Sequence, residues 1–235
     1  MTSNDLAGLE LQPYTLPRMD DAAQKVSRTI WIGIGLVIVL LAAAIVLSRV
    51  KPHRRVAAPL PDIGQIADFT LTNQTGQAVT LADLRGKVWV ADIIFSRCAG
   101  PCPRMTRQME SLQAALPKDG ASKLVTLTTD PEFDTPEVLN KYAARFNADP
   151  QRWWFLTGAK KDIANLAIDS LKLTAIEKKS EERVNEADLF IHSTIFVVVD
   201  KRAQLRGVFE TDSESGAWTN TQSTILETVR TLEKE

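Results

Sequence analysis

Residues 87–104 read KVWVADIIFSRCAGPCPR, and this stretch decides how the rest of the chain is understood. Lys87–Phe95 is a mostly apolar run of buried-strand length, with Asp92 as its exception. From Pro101 to Leu116, Met105, Met109, Leu112 and Leu116 recur at the spacing of one helical face. The segment is therefore a strand that turns directly into a helix, with Cys98 and Cys102 at the turn. Cys102 falls in the helix's first turn, where unpaired N–H groups and the macrodipole favour a thiolate, and Arg97 and Arg104 add positive potential. The four-residue separation lets the two sulfurs meet, either as a disulfide or as two ligands on one metal. A lone pair of cysteines is most often apolar filling, but these two sit amid Gly and Pro at a helix start.

Working outward, strands and helices alternate. Residues 69–81, FTLTNQTGQAVTL, read as a hairpin turned at Asn73–Gly76. Lys123–Thr129 is a strand, and Asp134-Thr-Pro-Glu137 opens a helix with Asp134 as its cap. Trp153–Leu156 is another strand and Lys160–Leu171 a third helix. Ile195–Asp200 and Leu205–Phe209 form a second hairpin, and Ile225, Leu226, Val229 and Leu232 give the last helix one apolar stripe. This alternation implies an α/β sheet covered by helices on both faces.

The 235 residues carry 28 Lys plus Arg against 29 Asp plus Glu, a net charge of -1 with no basic footprint for nucleic acid. Hydrophobic residues are 44%, which excludes a chain disordered throughout. Two cysteines and two histidines exclude a disulfide scaffold, a four-cysteine zinc site and a His-rich metal cluster. Residues 29–48, TIWIGIGLVIVLLAAAIVLS, contain no charge. As a helix they span about 30 Å, the thickness of a bilayer's hydrocarbon core, with Trp31 at the interface. They are read as an uncleaved, single-pass transmembrane anchor, because the apolar run is longer than that of a signal peptide and 28 residues precede it. Arg18, Lys25 and Arg28 on one side face Arg49, Lys51, Arg54 and Arg55 on the other, a one-charge margin towards a cytoplasmic carboxyl domain that decides little. The chain divides into a tail at 1–28, the anchor at 29–48, a proline-containing tether at 49–66 and a compact domain at 67–235.

Soft thiolates suit Cu(I), zinc or iron–sulfur centres, and two alone make a poor zinc site, so a third ligand is required. His192, directly before the strand at Ile195, is the candidate, although a lone histidine beside a strand is more often structural. His53 is a solvated tether residue. Asp130 is either a turn residue before Pro131 or a group that orients the metal ligands. Ser193 and Thr194 can orient His192, and Met105 and Met109 read as core.

Together, Cys-x-x-x-Cys-Pro after an apolar strand, TDPEFDTPEVL at 129–139, and His-Ser-Thr before IFVVVD resemble the Sco/SenC family. Residues 68–88, DFTLTNQTGQAVTLADLRGKV, resemble the start of those domains, and the likeness covers roughly residues 65–212. The resemblance implies a thioredoxin-like fold behind a membrane anchor, with Cys98, Cys102 and His192 as ligands to one copper ion. It implies a metallochaperone that assists maturation of the copper centre of cytochrome c oxidase, whose copper-bearing subunit is the partner. With the exposed dithiol, it places the domain in the periplasm or an equivalent compartment. Where the family has Pro-Asp inside the cysteine motif and Asp before the histidine, this chain has Ala99-Gly100-Pro101 and Ile191. The alternative is a thiol–disulfide oxidoreductase in which Cys98 attacks and Cys102 resolves. Against it stand the extra residue between the cysteines and the absence of Pro at His192-Ser193-Thr194.

Overall fold

The structure, a computed structural model, describes residues 30–42, 60–118, 122–183, 189–211 and 217–235. Residues 30–42 form helix α1, apolar and exposed around its circumference. Among the described residues no helix is long and apolar enough to cross a membrane, and the remainder of the anchor expected at 29–48 lies outside them. The tail at 1–28 and most of the tether also lie outside the described residues.

Residues 58–235 form a compact unit built on one eight-stranded sheet. Its strands are β1 (Gly64–Gln65), β2 (Thr70–Asn73), β3 (Ala78–Thr80), β4 (Val88–Ile94), β5 (Ser122–Thr128), β6 (Trp153–Thr157), β9 (Ile195–Val199) and β10 (Gln204–Glu210). They lie in the order β1-β10-β9-β4-β5-β6-β2-β3. The centre, β4-β5-β6, is parallel, and β9, β10, β2 and β3 extend it antiparallel on both sides. Both expected hairpins are present; the first turns at Gly76, whose φ of +79° is one glycine adopts at no steric cost. Gly64–Gln65 pairs with β10 and Ile66 is buried, so the end of the segment read as tether is already part of the fold.

All seven residues of β4 are buried, and their alternation feeds two cores. Val88, Val90 and Ile94 face α3 (Cys102–Ala115), α4 (Pro136–Ala144) and α6 (Ala217–Leu232). Trp89, Ala91 and Ile93 face α2 (Leu81–Leu84) and α5 (Lys160–Ala164). The helices thus cover both faces, as the sequence alternation requires. Met105 and Met109 are fully buried in the first core, the role their spacing assigned them.

Two details depart from the sequence reading. The helix expected over Lys160–Leu171 is α5 followed by a π-helical turn, Asn165–Ser170, in which Leu171 N–H reaches Leu166 O at 2.9 Å. His192, expected directly before the strand at Ile195, lies within a short strand of its own. β7 (Ala175–Glu177) and β8 (Phe190–His192) form a separate two-stranded antiparallel sheet, with a 3₁₀ turn at Ser180–Glu182 between them.

Candidate metal centre

The parallel strands β4 and β5 end together, and the candidate site is built where they do. After Ile94 the chain makes a tight turn, Cys98 N–H returning to Phe95 O at 3.2 Å. Cys98 is half-buried, and its Sγ accepts the Gly100 N–H at 3.3 Å. Within Ala99-Gly100-Pro101, the backbone N–H of Gly100 is thus a donor to the first sulfur. Helix α3 then starts at Cys102, with Pro101 at its N-cap and Pro103 in its first turn.

Both cysteines are thiols, and they differ in environment. Cys102 is fully buried, in the same core as Phe95 and Met105. Burial pushes its thiol well above the ordinary range, and the hydrogen bond and charge of Cys98 beside it push the same way. This corrects the expectation of a thiolate favoured at Cys102 by the helix start: desolvation outweighs the dipole when the sulfur is sealed in the core. Behind it, Thr106 Oγ1 donates to the Cys102 carbonyl at 2.8 Å and lies 2.9 Å from the Tyr142 hydroxyl. Burial raises the Tyr142 phenol too, keeping it neutral. Asp92 is fully buried and accepts from Thr126 Oγ1 at 2.6 Å; the same threonine takes the Trp153 indole N–H at 2.9 Å.

The turn that follows β5 braces the cysteine loop. Asp130 holds the Arg97 guanidinium at 2.6 Å, and Arg97 lies 4.2 Å over the Phe133 ring. Arg97 is thus paired, rather than a loose positive charge beside the sulfurs, and Asp130 acts on the loop through it. Asp134 is not the helix cap. Thr135 caps α4, its hydroxyl accepting from Val138 N–H at 3.4 Å, while the Asp134 carboxyl turns inward to Ser96 and Thr128. The capping motif around 134–137 accounts for the misassignment, since either Asp134 or Thr135 fits it.

His192 reaches this end of the sheet by topology. β9 runs antiparallel to β4 with Val197 opposite Ala91, so continuing the register brings Ile195 level with Ile93. The residues leading into β9 therefore arrive beside the end of β4. Ser193 closes the base of the β7–β8 hairpin, its N–H donating to Thr174 O at 3.0 Å and its Oγ accepting Thr174 N–H at 3.1 Å. In the hairpin ladder His192 stands opposite Ala175. Phe190, two residues before it, sets its ring edgewise against Phe95 with centroids 5.2 Å apart. Phe95 leads into the cysteine turn, so this contact joins the two arms of the site. Sequence reasoning missed Phe190; its only signal was an aromatic two places before the candidate histidine.

Among the described side chains, no group of three His, Cys, Asp or Glu converges as a metal site, and the His192 side chain lies outside that description. What the described groups offer is two adjacent sulfur donors, one half-buried and one sealed, without a competing carboxylate ligand. That donor set suits a soft monovalent metal, or reversible disulfide formation.

Comparison with known proteins gives a consistent result. The family model SCO1/SenC matches residues 60–227. The chain is 38% identical over 137 residues to the SCO1 protein homolog of Bacillus subtilis, covering 57% of this chain and 68% of that one. A solved structure of BsSco, described as having a disulfide switch and as a member of the Sco family of cytochrome c oxidase assembly proteins, is similar at TM-score 0.62 and 29% identity, over 75% of this chain and 98% of that one. Copper-bound ScoI of Bradyrhizobium japonicum shares the fold at TM-score 0.56 and 22% identity, over 68% of this chain and 99% of that one.

Proposed function

The chain belongs to the SCO1/SenC family, and from that premise we propose that it is a membrane-anchored copper metallochaperone. Cys98, Cys102 and His192 hold one copper ion, residues 29–48 anchor the chain, and the domain faces the periplasm or an equivalent compartment. The cargo is delivered by ligand exchange to the copper-bearing subunit of cytochrome c oxidase. One observation supports this reading: Phe190, in the same short strand as His192, packs edgewise on Phe95, which leads into the turn bearing Cys98 and Cys102. Two thiolates and an imidazole form a set that accepts both oxidation states of copper, the sulfurs favouring Cu(I) and the nitrogen helping to retain Cu(II).

The residues of this chain divide the work. Gly100 and the Phe95–Cys98 turn hold the accessible sulfur at the surface, where a partner's ligand can reach it. Cys102 approaches from the core side, shielded from water. Thiol–disulfide exchange is a second reading, favoured by the same asymmetry: a half-buried Cys98 is placed to attack and a buried Cys102 to resolve.

Titration of the full-length, detergent-solubilised chain with copper beside a competing chelator tests the proposal. The reduced protein should take up one Cu(I), and the protein with Cys98 and Cys102 oxidised to a disulfide should take up none. His192→Ala should lose copper affinity while leaving the dithiol competent to reduce a model disulfide. Unchanged copper affinity in that variant removes His192 from the site. Labelling of Cys98, the accessible sulfur, in intact, reduced spheroplasts by a membrane-impermeant thiol reagent tests the topology, and labelling only after detergent overturns it.

A further inference from the structure

Asp134 is fully buried, yet none of the roles above uses it. One carboxylate oxygen accepts from the Ser96 hydroxyl, and the other accepts from Ser96 N–H at 3.1 Å and from the Thr128 hydroxyl. Thr128 Oγ1 in turn accepts the Asp130 N–H at 3.0 Å, and Asp130 holds Arg97. Thr129 N–H donates to Ile94 O at 2.8 Å. Ile94, Ser96 and Arg97 are therefore each tied to the turn after β5, and Asp134 makes the deepest tie, two residues before Cys98. Burying a carboxyl is costly unless its partners are complete, and an apolar residue would fill the same space at lower cost. Burial does push this carboxyl's pKa up, against the pull of its Ser96 and Thr128 donors.

We infer that Asp134 is a positioning residue for Cys98: it fixes the backbone at Ser96 and so sets how the Cys98 sulfur meets Cys102. This rests on the reading that the two cysteines work as a pair, whether on copper or as a dithiol. Loosening Ser96 would let the Phe95–Cys98 turn relax, changing both the ease of disulfide closure and the geometry offered to a metal.

The test uses the full-length chain and two readouts: the equilibrium constant of the Cys98–Cys102 disulfide in glutathione buffers, and copper affinity by chelator competition. Asp134→Ala is expected to shift at least one of them by about tenfold, the usual scale for groups that orient ligands. Asp134→Asn keeps an acceptor for Ser96 N–H and should stay within about threefold of the wild type, the scale of one neutral hydrogen bond. Val229→Ala, a core change remote from the loop, controls for lost stability and should move neither constant. If Asp134→Ala lowers the melting temperature as Val229→Ala does and leaves both constants unchanged, Asp134 is structural only and the inference fails. Should Asp134→Ala not fold, Ser96→Ala removes just the hydroxyl partner and is expected to shift a constant by about threefold; no shift there overturns the inference equally. A wild-type chain that binds no copper would sink the copper reading while the disulfide constant still tests Asp134.

Discussion

The two arms of the site are built to different standards. The cysteine arm issues from β4, which is buried along its whole length, and Cys102 lies in the core itself. The histidine arm is a hairpin of two three-residue strands with its own ladder, outside the main sheet. Ile176 in that hairpin is 55% exposed. It is held by the Phe190–Phe95 ring contact, by Ser193 against Thr174, and by a Lys160–Glu177 ion pair at 2.6 Å. Local stability follows buried contact, so the histidine arm is expected to open at a lower free energy than the cysteine arm. On the copper reading proposed above, a centre with one fixed and one yielding half keeps its cargo and still releases it to a partner, by loosening a single ligand first.

The sharpest way to break this comparison is to attack the fixed half. Cys98→Ser or Cys102→Ser should weaken Cu(I) binding by more than about a hundredfold, measured by chelator competition, because a hydroxyl does not replace a thiolate on a soft metal. If either variant binds Cu(I) as the wild type does, the cysteine arm is not the metal arm. His192→Ala should cost about tenfold or more in copper affinity, with the larger loss for Cu(II). Because the hairpin lies outside the main sheet, that variant's melting temperature should stay within about 2 °C of the wild type. A loss confined to stability, with affinity intact, would reverse the assignment.

The link between the arms comes next in size. Phe190→Ala removes an edgewise aromatic contact, of a kind that contributes about 1 kcal/mol beyond its buried area. Copper affinity should fall by about fivefold through misplacement of β8, with Cys98–Cys102 disulfide formation unchanged. Phe190→Leu should recover part of the loss. An affinity equal to that of the wild type in Phe190→Ala would mean that the hairpin is positioned without Phe190.

Much of the fixed half was legible in the sequence, and little of the yielding half. The apolar period of 87–95 and the helical stripe from Met105 to Leu116 are strong local signals, and they placed both cysteines at a strand-to-helix turn. The thiol chemistry was misjudged at Cys102 because helix-start electrostatics are local whereas desolvation depends on the core that forms around the sulfur from distant parts of the chain. Asp134 was misread for a similar reason: its partner Ser96 lies 38 residues away, while the capping pattern lies beside it. Strands of three residues around a run as charged as KKSEER carry almost no periodic signal, so β7 and β8 were not foreseen. For His192 the residues alone offered a candidate third ligand beside a strand, and the family resemblance strengthened that expectation.

The smallest expected effect tests how loosely the histidine arm is tied. Lys160 and Glu177 are half-exposed, so their ion pair is screened and contributes less than about 1 kcal/mol. The hydrogen bond and charge of Lys160 hold the Glu177 carboxyl below its ordinary value, and Glu177 holds the Lys160 ammonium above its own. For the depressed carboxyl, the contribution is present above the unfolded value and is lost as pH falls through the folded one. For the raised ammonium, it is present below the unfolded value and is lost as pH rises through the folded one. The pair therefore acts fully between roughly pH 5 and 10 and fades outside that window. Copper affinity is a poor readout here, since metal binding is itself pH-dependent through protonation of the ligands. Amide hydrogen exchange across β7 and β8 separates the two. Lys160→Met should speed exchange there by about threefold at pH 7 and low salt, with little change in β4, and 1 M salt should shrink the difference. Equal exchange in the variant and the wild type at low salt would show that this pair does not hold the arm, leaving Phe190 and Ser193 as its anchors.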